Sequence, residues 1–227
     1  MKLYNNEKAI ISLTSWKKRI NTVTRTLFSL ITKCPGFHIV LVLSEDEFPQ
    51  KENELPEDLN ILANNNFIEI LWIKENVKAF KKILFTMDKY RDVPIISADD
   101  DCIYKYNYAE ELYNEWLKNK KNVVSYKNAI QYGIVATWGC STLYPPYYFK
   151  EYGLKWLNKR IIDLGLDDNY YVVVRKRLKL NGTSVIRKRI EEVVDFMNEI
   201  DPLHNRYRRS NIHRQAYSQI DQFINNV

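Results

Sequence analysis

Glycine and proline are scarce in this chain, 6 and 7 of 227 residues, which excludes collagen-like repeats and a low-complexity disordered chain. Cysteine is scarcer still. Cys34, Cys102 and Cys140 are far apart, odd in number and in no metal-ligand spacing. They read as reduced thiols of a cytosolic protein. No apolar run approaches the length of a membrane span. The opening residues lead directly into a strand with no signal peptide before it, so a cytoplasmic protein is expected, with any membrane contact peripheral. No repeat and no linker marks off a second domain. A single domain over 1–227 is expected.

The apolar content of 45% supports a real core, and tyrosine (16) and tryptophan (5) are plentiful. Aromatics in that number often line sugar or nucleobase sites, although many simply fill cores. The net charge of +6 and a pI near 9.0 favour a phosphate-bearing partner: a nucleotide, a nucleic acid or an anionic membrane surface.

The most informative stretch is 93–104, VPIISADDDCIY. A short β-branched run follows Asp92 and Pro94, as in a central strand of an α/β sheet, and it ends in Asp99, Asp100 and Asp101. Ligands bind open α/β sheets at the carboxyl ends of the strands. Three adjacent carboxylates are costly to desolvate without a positive partner, and Mg²⁺ or Mn²⁺ suits hard oxygen ligands. The competing reading is a turn that caps the next helix.

Around it the pattern is α/β. A strand at 9–13, a basic loop at 14–20 and an amphipathic helix at 22–31 form the order a phosphate site needs, or an ordinary solvated loop before a helix. A strand at 37–43 closes a βαβ unit; His38 within it reads as structural. A surface loop with a short helix near 55–59, a strand at 67–73 and a helix at 79–90 follow. That helix has a core face of Phe80, Ile83, Leu84 and Met87. Its Lys78, Lys81, Lys82 and Lys89 either reach a phosphate or form a solvated face. A helix at 108–120, strands at 123–126 and 134–137 and a small-residue turn come next. The second acidic pair, Asp167 and Asp168, sits at a helix start with the helix body at 171–180. An N-cap role competes with chemistry there. From Arg175 the chain is basic, with a short strand at 185–186 and a terminal helix at 212–227.

Four stretches, in this order, resemble bacterial GT-A glycosyltransferases of the family 2-like, DxD-containing kind that build surface polysaccharide or lipooligosaccharide. Residues 11–20, ISLTSWKKRI, resemble the family's "SLTSYPxRI" strand and loop. The lysine helix around Lys82 followed by 97–104, SADDDCIY, is similar to its DxD segment. Residues 138–146, WGCSTLYPP, resemble its "GxxxxLYPP" turn, and 166–170, LDDNY, its "DDIW" helix start. Trp16-Lys17 replaces the usual Tyr-Pro, and Asn169-Tyr170 the usual Ile-Trp.

The resemblance implies a GT-A, Rossmann-like fold with a mixed, mostly parallel central sheet flanked by helices. The nucleotide-sugar half would span about 1–104, the acceptor half about 105–182, and a basic segment about 183–227. It implies a metal-dependent, inverting transfer from a nucleotide-sugar, UDP-sugar favoured, to a glycan or lipid-linked acceptor. Thr14, Ser15 and Arg19 would meet the nucleobase and phosphates, and Lys82 would help hold the nucleotide. Asp101 would bind Mn²⁺ or Mg²⁺, Asp99 the ribose or the metal through water, with Asp100 between them. Asp168 or Asp167 would be the general base, and His204 or His213 a third metal ligand. Two other readings compete. A nucleotidyltransferase would normally show a glycine-rich loop after the first strand, and none is present. A basic module for nucleic acid or membrane, through 175–214, leaves both acidic clusters without a purpose, so no nucleic-acid partner is expected.

Overall fold

The computed structural model describes residues 8–126, 128–137, 139–197 and 211–225, with the side chains of 211–214 excepted. Among the described residues, seven strands form one sheet in the order β10-β6-β9-β4-β1-β2-β3. They are β1 (Ile10–Thr14), β2 (His38–Ser44), β3 (Glu69–Ile73), β4 (Ile95–Ser97), β6 (Val123–Ser125), β9 (Thr142–Tyr144) and β10 (Thr183–Val185). β1 lies parallel to both β2 and β4, β2 to β3 and β6 to β10, while β9 alone runs antiparallel to its neighbours β4 and β6. This is the mixed, mostly parallel α/β sheet expected. Two small ribbons stand beside it: β5 (Cys102–Tyr104) with β11 (Val194–Phe196), and the hairpin β7 (Asn128–Gln131) with β8 (Ile134–Thr137).

Why the central strands read as continuous apolar runs is visible in their burial. Ile11, Leu13, Leu41, Leu43 and Ile96 face one core, and Ile10, Val40, Val42 and Ile95 the other. Both faces of a parallel sheet are covered by helices, so polar alternation is lost. On the first face lie α1 (Val23–Lys33), α2 (Glu57–Asn64) and α4 (Tyr108–Lys118), through Leu27, Leu30, Leu59, Leu62, Leu112 and Trp116. On the second lie α3 (Lys81–Lys89), the short α5 (Tyr152–Lys155) and α6 (Lys159–Leu164), α7 (Asp167–Arg177) and α8 (Asn211–Asn225).

Helix α7 deserves separate treatment because it carries the second acidic pair. Its Val172, Val173 and Val174 are all buried, and β-branched residues are poor helix formers. Tertiary burial outweighs that weak preference here. Its first turn holds Asp167 and Asp168, which the helix dipole favours at an N-terminus. The helix begins at Asp167, four residues before the expected body.

Arg175, expected to open a basic surface, is 1% exposed. Its guanidinium donates to the Val135 carbonyl (2.9 Å), the Leu180 carbonyl (3.3 Å) and Thr183 Oγ1 (2.7 Å). It therefore joins α7 to β8 and β10. Arg177 pairs with Asp221 and Asn225 on α8, Lys188 with Glu111, and Lys176 lies over the Tyr132 ring. These cations serve the fold rather than a free basic face. Among the described residues no helix is long and apolar enough to cross a membrane.

His38 is structural, as expected: its Nε2 lies 3.0 Å from Glu69 Oε2, beside Tyr90 and Lys89. Burial raises the Glu69 carboxyl, but these three partners together hold it down at about 2. Lys78 donates to the Asp163 carbonyl, and Lys81, 1% exposed, donates to Glu47 (2.5 Å). Of the four lysines considered for a phosphate, only Lys82 faces the acidic clusters.

Replacing Arg175 by methionine removes the guanidinium from the Val135 carbonyl and Thr183 Oγ1, while the Leu180 carbonyl keeps the Tyr148 hydroxyl, a loss of about 1–3 kcal/mol. The variant is expected to melt lower by roughly 5–10 °C, about 2–4 °C per kcal/mol for a chain this size. Calorimetry of Arg175→Met against the wild type checks this.

Candidate active site

The site is assembled at the carboxyl end of β4, where the sheet pairs on one side with β1 and on the other with the antiparallel β9. The acidic loop 98–101 is held by its backbone. Ala98 N–H donates to the Ser12 carbonyl, and Asp99 N–H to Tyr104 Oη (2.8 Å). Thr26 Oγ1 donates to the Asp100 carbonyl (2.9 Å), and Met197 N–H to the Asp101 carbonyl (3.0 Å). With each of these four residues tied at a main-chain atom, the carboxylates are aimed by the fold rather than by one another.

The three aspartates are not equivalent. Asp100 turns inward, 6% exposed. It accepts from Ser15 Oγ (2.6 Å) and Arg19 Nη1 (2.8 Å). Burial still pushes its carboxyl above the ordinary range, against the pull of Arg19 and Ser15. The same Arg19 nitrogen donates to Asp101 Oδ2 (2.7 Å), and Cys102 Sγ lies 3.4 Å from Asp101 Oδ1. Arg19 itself is 6% exposed. Asp99 accepts from Lys82 Nζ (2.9 Å) and keeps about a third of its side chain exposed.

Lys82 joins the two acidic clusters. Its Nζ lies 2.9 Å from Asp99 Oδ1 and 3.4 Å from Asp167 Oδ2. Burial works against its charge, but Asp99, Asp167 and Asp168 outweigh that and hold its pKa well above the ordinary lysine value. Asp167 Oδ2 is buried without a hydrogen-bond partner. Neither Asp167 nor Asp168 caps α7, whose N-cap is Leu166 with no side-chain bond, so the capping alternative does not hold. Asp168 Oδ1 instead accepts the Gly139 N–H (3.1 Å). Burial, reinforced by the charge of Asp167, pushes the Asp168 carboxyl up to about 7.

Gly139, at the turn before β9, is fixed by space. A Cβ there would lie 2.8 Å from Asp99 Oδ2, at a φ of +23°. The turn is held from below by Tyr108 Oη, 2.6 Å from the carbonyls of both Ser97 and Cys140, and by Ser97 Oγ donating to the Gly139 carbonyl. The small-residue turn at 139–141 was legible in the sequence. The tyrosine supports, Tyr104 and Tyr108, were not, because a tyrosine beside a strand reads equally well as core.

Thus Ser15, Arg19, Lys82, Asp99, Asp100, Asp101, Asp167 and Asp168 converge on one crevice. Thr14, at the end of β1, spends its hydroxyl on the Val42 carbonyl (2.7 Å). Ser15 and Asp100, expected at the nucleotide, are bonded to each other, and Asp100 also to Arg19. His204, and the side chain of His213, fall outside the described residues.

Among the described residues, four of these five carboxylates contact Arg19 or Lys82. Hard carboxylate oxygens gathered from two clusters fit a divalent cation. Among the described residues no three His, Cys, Asp or Glu side chains are arranged to hold a metal by themselves. Mg²⁺-type sites commonly take one or two carboxylates and complete their shell with substrate phosphates, which suits Asp99 and Asp101.

No protein-family model matches the chain, and no curated protein matches it. Among solved structures, GalNAc-T7 crystallised with UDP, GalNAc and Mn²⁺ is similar at 18% identity and a TM-score of 0.43. The match covers 56% of this chain and 24% of that one. The aligned part is thus about a quarter of that protein's length, and nothing about this chain's activity follows from the likeness.

The raised Asp168 has a pH signature. In the unfolded chain its carboxyl loses its proton near 4, in the folded chain only near 7. Between those values the folded state holds a proton the unfolded state has lost, so this group makes stability fall as pH rises. Asp168→Asn, which mimics the protonated form, is expected to melt higher than the wild type at pH 8. That gap should close as pH falls toward 4 in melting curves taken across the range.

Proposed function

We propose that this chain is an inverting glycosyltransferase of the GT-A type, transferring a sugar from a nucleotide-sugar, UDP-sugar favoured, to a hydroxyl of a glycan or lipid-linked acceptor. One observation carries the reading: a carboxylate poised near 7, Asp168, sits across a shared lysine from an Asp-x-Asp pair at the carboxyl end of a parallel strand. Donor-side and acceptor-side carboxylates in one crevice are what a single displacement at an anomeric carbon requires.

In this reading Asp99 and Asp101 would hold Mn²⁺ or Mg²⁺, which when bound neutralises the donor diphosphate and eases its departure. The remaining work belongs to the chain. Arg19, held by Asp100, which Ser15 orients in turn, sets the position of Asp101, so Ser15 and Asp100 act on the donor through Arg19. The nucleoside lies along the loop 14–20, where the Thr14 and Ser15 hydroxyls are already engaged and the main chain is left to contact it. Lys82 stays charged beside Asp99 and holds the leaving-group side positive. Asp168, oriented by the Gly139 N–H, takes the proton from the attacking acceptor hydroxyl. Attack from the Asp168 side, opposite the leaving diphosphate, inverts the anomeric centre.

Two observations support Asp168 rather than Asp167 as base. Asp167 lies 3.4 Å from Lys82 Nζ, whereas the Asp168 carboxyl is raised into the range where a general base works best. Asp168→Asn is expected to spare donor binding and cost turnover about 10²–10⁴-fold. Asp101→Ala should abolish metal-dependent nucleotide binding. In the wild type, kcat/KM should rise with pH through a group near 7 and level off above it, and the rise should vanish in Asp168→Asn. Full activity in both Asp168→Asn and Asp167→Asn would contradict the mechanism.

A further inference from the structure

The segment that follows the basic stretch returns to the acidic loop. β11 pairs antiparallel with β5, placing Phe196 opposite Cys102 and Val194 opposite Tyr104. The Met197 N–H then donates to the Asp101 carbonyl (3.0 Å), so the pairing runs up to the aspartate itself. Directly opposed residues of an antiparallel pair share a face, with Cβ atoms about 4.5–5.5 Å apart. The Asp101 carboxylate reaches the residue that Phe196 opposes: Cys102 Sγ lies 3.4 Å from Asp101 Oδ1. Val194, on that face one pair further on, is fully buried, yet Phe196 is 52% exposed. A large aromatic ring is therefore left open to solvent beside a carboxylate of the crevice, on a strand anchored by Lys105 with Asp195 (2.7 Å) and by Lys105 N–H on the Val193 carbonyl.

Other exposed aromatics do not share this placement. Phe28 is 51% exposed but stands on α1, and Tyr106 is covered on one side by Lys33, 3.9 Å from its ring.

We propose that Phe196 is a donor-binding residue, its ring packing against a flat or apolar ring face of the nucleotide-sugar held at Asp101. The inference rests on the nucleotide-sugar reading of the site and adds a wall to it. The Phe196 ring carries no group that can move a proton, so its contribution is to binding and orientation. Stacking of a nucleobase on an aromatic side chain is worth enough for its loss to weaken binding about 5- to 100-fold.

The test is calorimetric titration of UDP and of UDP-hexoses, with Mn²⁺, into wild type, Phe196→Ala, Phe196→Tyr and Phe28→Ala. Expected is a loss of about 5- to 100-fold in affinity for Phe196→Ala, near-wild-type affinity for Phe196→Tyr, and no change for Phe28→Ala. Because the ring is half exposed, Phe196→Ala should keep the wild-type melting temperature, separating lost contact from lost fold. A loss already present with UDP assigns the contact to the nucleoside; a loss seen only with UDP-hexoses assigns it to the sugar. Equal affinity of Phe196→Ala and wild type for all of them overturns this inference while leaving the glycosyltransferase reading intact. Failure of the wild type to bind any nucleotide or nucleotide-sugar overturns that reading, and this inference with it.

Discussion

A single buried ammonium holds the crevice together. Lys82 comes from α3, accepts no help from solvent, and lies between Asp99 at the end of β4 and Asp167 at the start of α7. Without a cation there, carboxylates from two separate stretches of the chain would have to be desolvated against one another, which interiors do not tolerate. Its placement is secured from beneath, where Ser12 Oγ of β1 donates to the Lys82 carbonyl and lies 2.6 Å from Thr86 Oγ1. The helix that supplies the charge is thus tied to the strand at the sheet's centre. Arg19 does the same for Asp100 and Asp101 from the loop after β1.

Among the described residues, five carboxylates gather around Arg19 and Lys82, and the crowding has chemical consequences. The group that gives way is Asp168, whose carboxyl rises to about 7 because it is buried beside Asp167. Its neighbour Asp167 lies 3.4 Å from Lys82, so two adjacent residues of one helix turn meet different surroundings. Gly139 links the halves: it is close enough to Asp99 to exclude any side chain, and its N–H orients Asp168.

Much of this was legible in the chain itself. Buried strands at β1, β2 and β4 announce themselves as apolar runs because helices cover both faces, and α1 and α3 by their helical spacing of Leu27 and Leu30 or Ile83, Leu84 and Met87. The eight acidic, basic and hydroxyl residues that converge were all singled out, the aspartates as two acidic clusters and Ser15, Arg19 and Lys82 through the family resemblance. What the sequence hides is direction. Asp100 and Asp101 are neighbours of one type, yet Asp100 turns inward to Ser15 and Arg19 of the loop after β1, while Asp101 keeps more of its side chain exposed. Arg175 sits in a basic run and is nonetheless buried, because carbonyls of β8 and of the turn after α7 converge on it. β11 returns to β5 across more than 90 residues of sequence, a pairing that local pattern cannot announce. The metal inferred from three adjacent aspartates needs a different justification too: Arg19 pairs with Asp100 and Asp101, and the case for a cation rests on the hard oxygens gathered from both clusters.

The measurement that bears most directly on this account is a thermal-shift screen of UDP, GDP, CMP and their sugars, each with and without Mn²⁺. A ligand that binds only the folded chain raises its melting temperature by mass action. The account predicts a rise with one nucleotide class that requires the metal, placing a diphosphate against Asp99 and Asp101. A folded protein whose melting temperature moves with none of these ligands, with or without Mn²⁺, would contradict it.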